Sequence, residues 1–228
     1  MKFKLHIVLA VFTLLCFKTT YAQLSKKHFI PPLTYAETGN ANPEEQYFYI
    51  STPSSNNVSF TIKQIGFPNN NITGFVSKSN PQEILIGSGD SQLFVSSPQT
   101  SVIHTNKGYI IEADDVIYVS VRVLAGGGAQ AGALVSKGSA ALGTIFRAGM
   151  YTNENPQSNY LNFISVLASE DNTQVTFSDL PTGIAVKNYS GTLPISITLN
   201  EGESYIVATN AADNTINKDS LIGTLINS

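Results

Sequence analysis

The stretch "VIYVSVRV" at residues 116–123 decides the fold class of this chain. Apolar side chains occupy every second position from Ile117 onward, and Tyr118, Ser120 and Arg122 stand between them. A period of two is typical of a strand with one face on a core and the other in water. The stretch therefore predicts a half-buried β-strand in an antiparallel sheet.

The same alternation recurs along most of the chain. It is found in "NVSFTIKQI" (57–65), "TQVTFS" (173–178) and "ISITL" (195–199), and Gly, Pro, Asn or Asp bound each run. Residues 129–142 are the one stretch with some helical character, but their glycines make a poor helix. We predict an all-β fold, an antiparallel β-sandwich-like arrangement with a short extended N-terminal arm.

A glycine-rich stretch, "LAGGGAQAG" (124–132), follows the first strand and raises the question of nucleotide binding. Gly126, Gly128 and Ala131 fit the G-x-G-x-x-[GA] spacing. A dinucleotide fold also needs a helix next and an acidic residue about 20 positions on, where this chain has 148–150, "AGM". The glycines therefore indicate a loop between strands, and no cofactor is predicted.

The N-terminus has the layout of a secretory signal peptide. Lys2 and Lys4 precede an apolar core at 7–17, and small residues prepare a cleavage between Ala22 and Gln23. A lipoprotein signal is the alternative, but Cys16 follows a leucine where lipidation needs a small residue. No later apolar run is long enough for a transmembrane helix. We predict a secreted protein, extracellular or on the outer cell surface.

Charge and chemistry exclude several functions. The net charge is −3 and only 13% of the residues are charged, so nucleic acid is not an expected partner. No G-x-S-x-G motif supports His104 as a catalytic base, and Ser136 beside Lys137 would point to the opposite face of a strand. Oxygen-rich turns near Asp90 and at 170–172 lack the spacing of a calcium loop. We predict no enzyme, no catalytic residue and no metal ligand.

The chain contains a faint internal similarity. "YFYISTPSSNNVSFTI" (47–62) resembles "LNFISVLASEDNTQVTF" (161–177), although β-hairpins can resemble one another by chance. We predict a signal peptide at 1–22, an arm at 23–46 and two related β-rich halves at 47–150 and 151–228. The last stretch, "SLIGTLINS" (220–228), is expected to leave an unpaired strand edge in a truncated second half.

Several of these motifs resemble those of a known family, the N-terminal domain of IgGFc-binding proteins. The likeness lies in "FYISTP" (48–53), "GYIIEADDVIYVSVRV" (108–123), "AALGTIFRAG" (140–149), "FISVLASEDNTQVTF" (163–177) and "LNEGESYIV" (199–207). The opening "LSKKHFIPPLT" (24–34) is similar to the version in large secreted or surface proteins of gliding Gram-negative bacteria. The resemblance implies the N-terminal part of a larger multidomain chain, and it implies no specific Fc contact.

These observations predict a non-catalytic adhesion module for extracellular glycans or glycoproteins. Ligand contacts are expected in loops 66–74 and 124–132, because loops at strand ends carry binding residues. The residues predicted to contact ligand are Asn69, Asn70, Asn71, Gly126, Gly127, Gly128 and Gln130.

Two alternatives remain open. The first is a secreted hydrolase or its accessory domain, which would need carboxylates that converge in space. The candidates are Glu112, Asp114, Asp115, Asp171 and Glu201. The second is a structural spacer of a larger surface protein, which would have no ligand.

Overall fold

The computed structural model describes residues 24–36, 42–150, 160–210 and 216–228. Within these ranges the chain forms strands, turns and short 3-10 segments, and contains no α-helix. The strands are β1 (Ser25–Ile30), β2 (Leu33–Tyr35), β3 (Pro43–Ser51), β4 (Val58–Gln64), β5 (Ile72–Val76), β6 (Gln82–Gly87), β7 (Phe94–Ser96), β8 (Ile103–His104), β9 (Tyr109–Ala125), β10 (Gln130–Ser136), β11 (Ile145–Arg147), β12 (Leu161–Leu167), β13 (Thr173–Ser178), β14 (Ile195–Leu199), β15 (Ser204–Asn210) and β16 (Leu225–Asn227).

The long strand β9 organises the first part of the chain. Its N-terminal portion pairs with β4 and β1, and from Tyr118 onward it pairs with β3 and β10. The strand order is β5-β4-β9-β3-β6, with β1 and β10 also on β9, and these pairings are antiparallel. Ile117, Val119 and Val121 are buried and Arg122 is exposed, as the alternation predicts. The all-β antiparallel prediction is confirmed.

The first core is packed around aromatic rings from both portions of this sheet. Phe48 of β3 and Tyr109 of β9 meet edge to face at 5.1 Å between ring centroids. Both side chains are fully buried, and the Tyr109 hydroxyl donates to the Ile86 carbonyl at 3.3 Å. Phe60 of β4 completes the cluster. A tyrosine can be buried in a core when its hydroxyl group has a hydrogen-bond partner there.

A second core is built by two further sheets, and five of their seven strands come from the later part of the chain. One has the order β12-β15-β8 and the other β11-β16-β13-β14, all antiparallel. Phe177, Ile195, Leu199 and Leu221 are fully buried between them. The division at residue 150 remains a prediction, because residues 151–159 lie outside the described ranges.

The structure corrects the prediction for the final stretch. We expected an unpaired edge at 220–228, but β16 is an interior strand that pairs with both β11 and β13. A turn at Gly223, with φ of 81°, brings the chain back into the sheet. Two hydrogen bonds to Ala148 hold this turn. The Ala148 carbonyl accepts from the Gly223 N–H, and the Ala148 N–H donates to the Thr224 carbonyl. Local sequence could not show this position, because the partner strands are distant in sequence.

Residues 24–36 of the N-terminal arm are extended, and strand β1 within them lies on the sheet. β1 pairs with β9, and the buried His28 fixes it there. His28 Nε2 lies 3.0 Å from Ile117 O and 3.2 Å from Ser25 O, while Nδ1 lies 2.9 Å from Ser136 Oγ. Two carbonyl partners require Nε2 to carry the proton, so Nδ1 accepts from the serine. The signal peptide prediction falls on residues 1–22, outside the described ranges.

Candidate binding surface

The glycine-rich stretch forms the turn of the hairpin between β9 and β10. Gly126, Gly127 and Gly128 have φ of 65°, 72° and 75°, a region that only glycine adopts without strain. Gly127 N and Gly128 N donate to the Glu44 carboxylate at 2.5 and 2.8 Å. Successive N–H groups of this kind form an anion-binding nest. Here the nest holds a carboxylate of the protein itself, and the next element is an antiparallel strand, so the turn is structural.

An aromatic and basic surface lies on the outer face of strands β3, β9 and β10. We call it the Tyr–Arg face: Tyr47, Tyr49, Ser120, Arg122, Ala131 and Ala133. The register places Tyr47, Arg122 and Ala133 in one row across the three strands, and Tyr49 and Ser120 in the next. The face borders a shallow depression of about 530 Å³. On this face β10 contributes only the small side chains of Ala131 and Ala133.

Carboxylates hold the two tyrosine hydroxyls of this face. The Tyr47 hydroxyl donates to Glu45 Oε2 at 2.6 Å, and this hydrogen bond is the main reason that the pKa of Tyr47 rises to about 12. The Tyr49 hydroxyl bonds to Glu83, which likewise raises the pKa of Tyr49. Both rings are therefore neutral at physiological pH. The ring centroids are 6.3 Å apart, which makes one continuous aromatic surface.

The arrangement suits recognition of a ligand that presents a flat apolar side and hydroxyl or carbonyl groups. Tyr49 is 38% exposed and Arg122 is also exposed, so ring faces and guanidinium donors are both accessible. Tyrosine and arginine are enriched where proteins bind partners. The Tyr–Arg face is therefore the candidate binding surface.

The structure separates the two loops predicted to contact ligand. Gly126, Gly127, Gly128 and Gln130 lie in or next to the β9–β10 turn, beside the Tyr–Arg face. Asn69 and Asn70 lie in an exposed 3-10 turn and Asn71 follows it, between β4 and β5. β4 pairs with β9 at its N-terminal portion, whereas the glycine turn follows its C-terminus. The two loops are thus at opposite ends of β9.

Two of the carboxylates weighed for hydrolysis converge, but around a lysine. Lys27 Nζ lies 3.5 Å from Glu112 Oε1 and 3.6 Å from Glu201 Oε1, and Lys63 also pairs with Glu112. The hydrogen bond from Lys63 holds the pKa of Glu112 below its ordinary value. A glycosidase acid needs a raised pKa, so this exposed cluster acts as an ion-pair network.

The other candidates form hydrogen bonds that involve backbone groups. Asp171 Oδ1 accepts from Glu201 N at 3.0 Å, Asp115 Oδ1 accepts from Val116 N at 2.8 Å, and the Asp114 carbonyl accepts from Lys26. Across the described ranges, no group of three or more His, Cys, Asp or Glu side chains is placed to hold a metal ion.

The histidines also have hydrogen-bond partners within the fold. His104 Nε2 lies 2.9 Å from the Gln99 carbonyl, and burial lowers the pKa of His104. Ser136 forms a hydrogen bond with His28 rather than with Lys137. This pair was not predicted from the sequence. The far nitrogen of His28 faces backbone carbonyls instead of a carboxylate, so the pair lacks the acid of a triad.

The Tyr–Arg face also escaped sequence reasoning. A signal was present, because Tyr47 and Tyr49 alternate with the buried Phe48 in "YFY", and Arg122 alternates with Val121. That parity assigns the three side chains to outer faces. It could not show that β3 and β9 are neighbours in register, because more than 70 residues of sequence separate Tyr47 from Arg122.

Comparison with known proteins finds one similarity. Residues 131–228 match the family model described as IgGFc binding protein. This match confirms the resemblance to the family over residues 131–228. No curated protein and no solved structure matches the chain. The described residues include no helix long and apolar enough to cross a membrane.

Proposed function

We propose, from the membership of residues 131–228 in the IgGFc binding protein family, that this chain is a non-catalytic binding module that works outside the cell. Its ligands are extracellular glycans or glycoproteins, and its role is adhesion. The family is one of non-enzymatic binding domains, which supports binding over catalysis. The leader-like residues 1–22 support export.

The Tyr–Arg face carries this proposal. Sugar rings and peptide groups both have flat faces that pack on exposed aromatic rings, and their polar edges take hydrogen bonds from a guanidinium. Tyr47 and Tyr49 supply the aromatic surface, Arg122 supplies the donors, and Glu45 and Glu83 keep the hydroxyls in place. In this proposal the β9–β10 turn, with Gly126–Gly128 and Gln130, forms the rim of the site.

The loop at Asn69–Asn71 has a different place in the proposal. Because it lies at the other end of β9, it would contact a separate part of a large ligand rather than the same sugar or peptide group. Its exposed amides can donate and accept hydrogen bonds. A ligand that reaches both loops must be a glycoprotein or a long glycan.

The test is binding of the full chain to an array of glycans and glycoproteins. We expect the double variant Tyr47→Ala/Tyr49→Ala to weaken binding about tenfold or more, as loss of aromatic contact residues commonly does. Tyr160→Ala is the matched control, because Tyr160 is 41% exposed and lies outside the face. If no array member binds the parent chain, the structural spacer is the better interpretation. If binding survives the double variant, the site lies elsewhere.

A second measurement addresses the hydrolase alternative. Array glycans that bind should be recovered intact after long incubation with the chain, since the Glu112 and Glu201 carboxylates serve Lys27. Release of new reducing ends that Glu112→Gln abolishes would overturn the non-catalytic proposal. Export is tested separately, by N-terminal sequencing of the secreted protein, where Gln23 is expected as the first residue.

A further inference from the structure

A second cavity lies in the part of the chain that matches the family. It is an apolar groove of about 530 Å³ between strand β12 and the segment 138–150, and we call it the β12 groove. Its walls include Phe29, Leu142, Phe146, Met150, Val166 and Val175. Arg147 is the one charged side chain in the lining, and it is held by Asp179 and the Gly223 carbonyl.

One wall of the groove is the edge of a strand. All residues from Phe163 to Ser169 line it, although neighbouring residues of a strand point to opposite faces. A cavity that touches consecutive residues must therefore run along the strand edge. In the described ranges β12 pairs with β15 alone.

The hydrogen bonds fix which backbone groups face the groove. Ala168 forms two backbone hydrogen bonds on the β15 side. Its N–H donates to the Glu203 carbonyl, and its carbonyl accepts from the Gly202 N–H. By alternation, the N–H and carbonyl groups of Leu167 and Ser165 point the other way, along the groove. The Ser165 hydroxyl is buried and also has no hydrogen-bond partner among the described residues. Within that part of the chain, the groove combines apolar walls with polar groups that have no strand partner.

The first half of the chain shows how such an edge is covered. β3 and β12 begin the two similar stretches at 47–62 and 161–177, and each pairs in antiparallel orientation with a later strand along one edge, β9 or β15. The other edge of β3 is covered by β6, with Phe48 opposite Ile84. β6 alternates, with Ile84 and Ile86 packed on the core and Glu83 and Leu85 exposed. At β12 the corresponding place is the groove.

We propose that the β12 groove is an acceptor site for one extended β-strand of a partner protein. The strand pairs its backbone with β12, and every second side chain, apolar and uncharged, enters the groove above Val175 and beside Met150. Its chemistry follows from the walls, since a charged side chain would lose its hydration there without a counter-charge. This site is independent of the Tyr–Arg face.

The test uses a labelled synthetic peptide with the sequence of residues 80–88, "NPQEILIGS", as the probe strand. A second peptide with Ile84→Asp and Ile86→Asp is the peptide control. Fluorescence anisotropy with the full chain should show saturable binding of the first peptide and at least tenfold weaker binding of the second. Amide hydrogen exchange at Ser165 and Leu167 should slow when the first peptide binds.

Two matched variants locate the site. Leu142 is 46% exposed and lines the groove, and Leu134 is 47% exposed on β10, away from it. Leu142→Glu should weaken peptide binding about tenfold, whereas Leu134→Glu should leave it unchanged, with equal melting temperatures of the two variants. Equal binding of both peptides, or no binding of either, would overturn the proposal. Slow amide exchange at Ser165 and Leu167 without peptide would show that the chain covers the edge of β12 itself. Dimers that Leu142→Glu abolishes would assign the groove to a second copy of the chain. Either result also overturns the proposal.

Discussion

The two cores of this chain contain similar strands, β3 and β12, but these two strands differ in how many neighbours they have. In the first, β3 and the C-terminal portion of β9 each have a neighbour on both edges, and large rings such as Phe48 and Phe60 are fully buried. In the second, every residue of β12 is only partly buried, although Phe177 beneath it is not exposed at all. The comparison shows that a core can be fully buried while the edge of a strand that covers it stays unpaired in the described residues.

The largest effect should come from truncating the matching aromatic residue of each core. Phe60→Ala and Phe177→Ala should each lower the free energy of unfolding by about 3–5 kcal/mol, through lost burial and the cavity left behind. Urea unfolding followed by fluorescence measures both. Phe75→Ala is the control, because Phe75 is 61% exposed and should change stability by less than about 0.5 kcal/mol. A loss below about 1 kcal/mol for Phe177→Ala would mean that the second core is loosely packed.

The next effect concerns the link between the two cores. The Asn188 amide donates to Ser97 O at 2.8 Å and to Thr100 Oγ1 at 2.9 Å, and Asn188 has φ of 59°. Asn188→Ala should cost about 2 kcal/mol, since it leaves partners unsatisfied and places alanine in a left-handed conformation. Asn188→Gly removes the same bonds without the strain and should cost less, as thermal melts would show. Equal losses would mean that backbone strain contributes nothing.

A pH effect should distinguish the first half through His28. Burial lowers the pKa of His28 in the folded chain, so the unfolded chain binds a proton more readily. Stability that His28 provides is complete above its unfolded pKa of about 6.5 and is lost as pH falls below it, by at most about 1.4 kcal/mol per pH unit. Melting temperatures of the parent and of His28→Gln between pH 8 and pH 5 measure this. Parallel curves for the two proteins would contradict it, because His104 and the carboxylates are common to both.

The smallest effect should come from the glycine turn. A Cβ at Gly128 meets no atom within 4 Å, so Gly128→Ala tests backbone conformation alone. We expect a loss of about 1 kcal/mol from the positive φ, measured by urea unfolding. Gly149→Ala is the control, because Gly149 has equal space and no positive φ. A neutral Gly128→Ala would show that the nest around Glu44 can rearrange freely.

Sequence alone predicted much of the secondary structure and little of the pairing. The period of two identified β4, β9, β13 and β14, because alternation is a local consequence of the pleat. It did not place β16 between β11 and β13, since edge and interior strands of similar composition differ only in their neighbours.

The candidate sites show the same limit. The glycine turn was read correctly as a loop between strands because hairpin geometry is local, but the carboxylate that fills its nest comes from Glu44, more than 80 residues earlier. The Tyr–Arg face and the β12 groove are each assembled from strands distant in sequence. Their residue types were visible, and their proximity was not.

The shared strand β9 also sets the order in which this chain can fold during synthesis. Phe48 pairs with Val121, Phe60 with Ala113 and Phe29 with Ile110. Strands β1, β3 and β4 are therefore synthesised well before β9, the strand with which they pair. Of the pairings in this sheet, β4–β5 and β3–β6 can form before β9 is made. Contacts this distant in sequence make folding slow. A ribosome that paused before residue 125 would therefore present a nascent chain with most of its apolar strands uncovered, the kind of chain that chaperones bind.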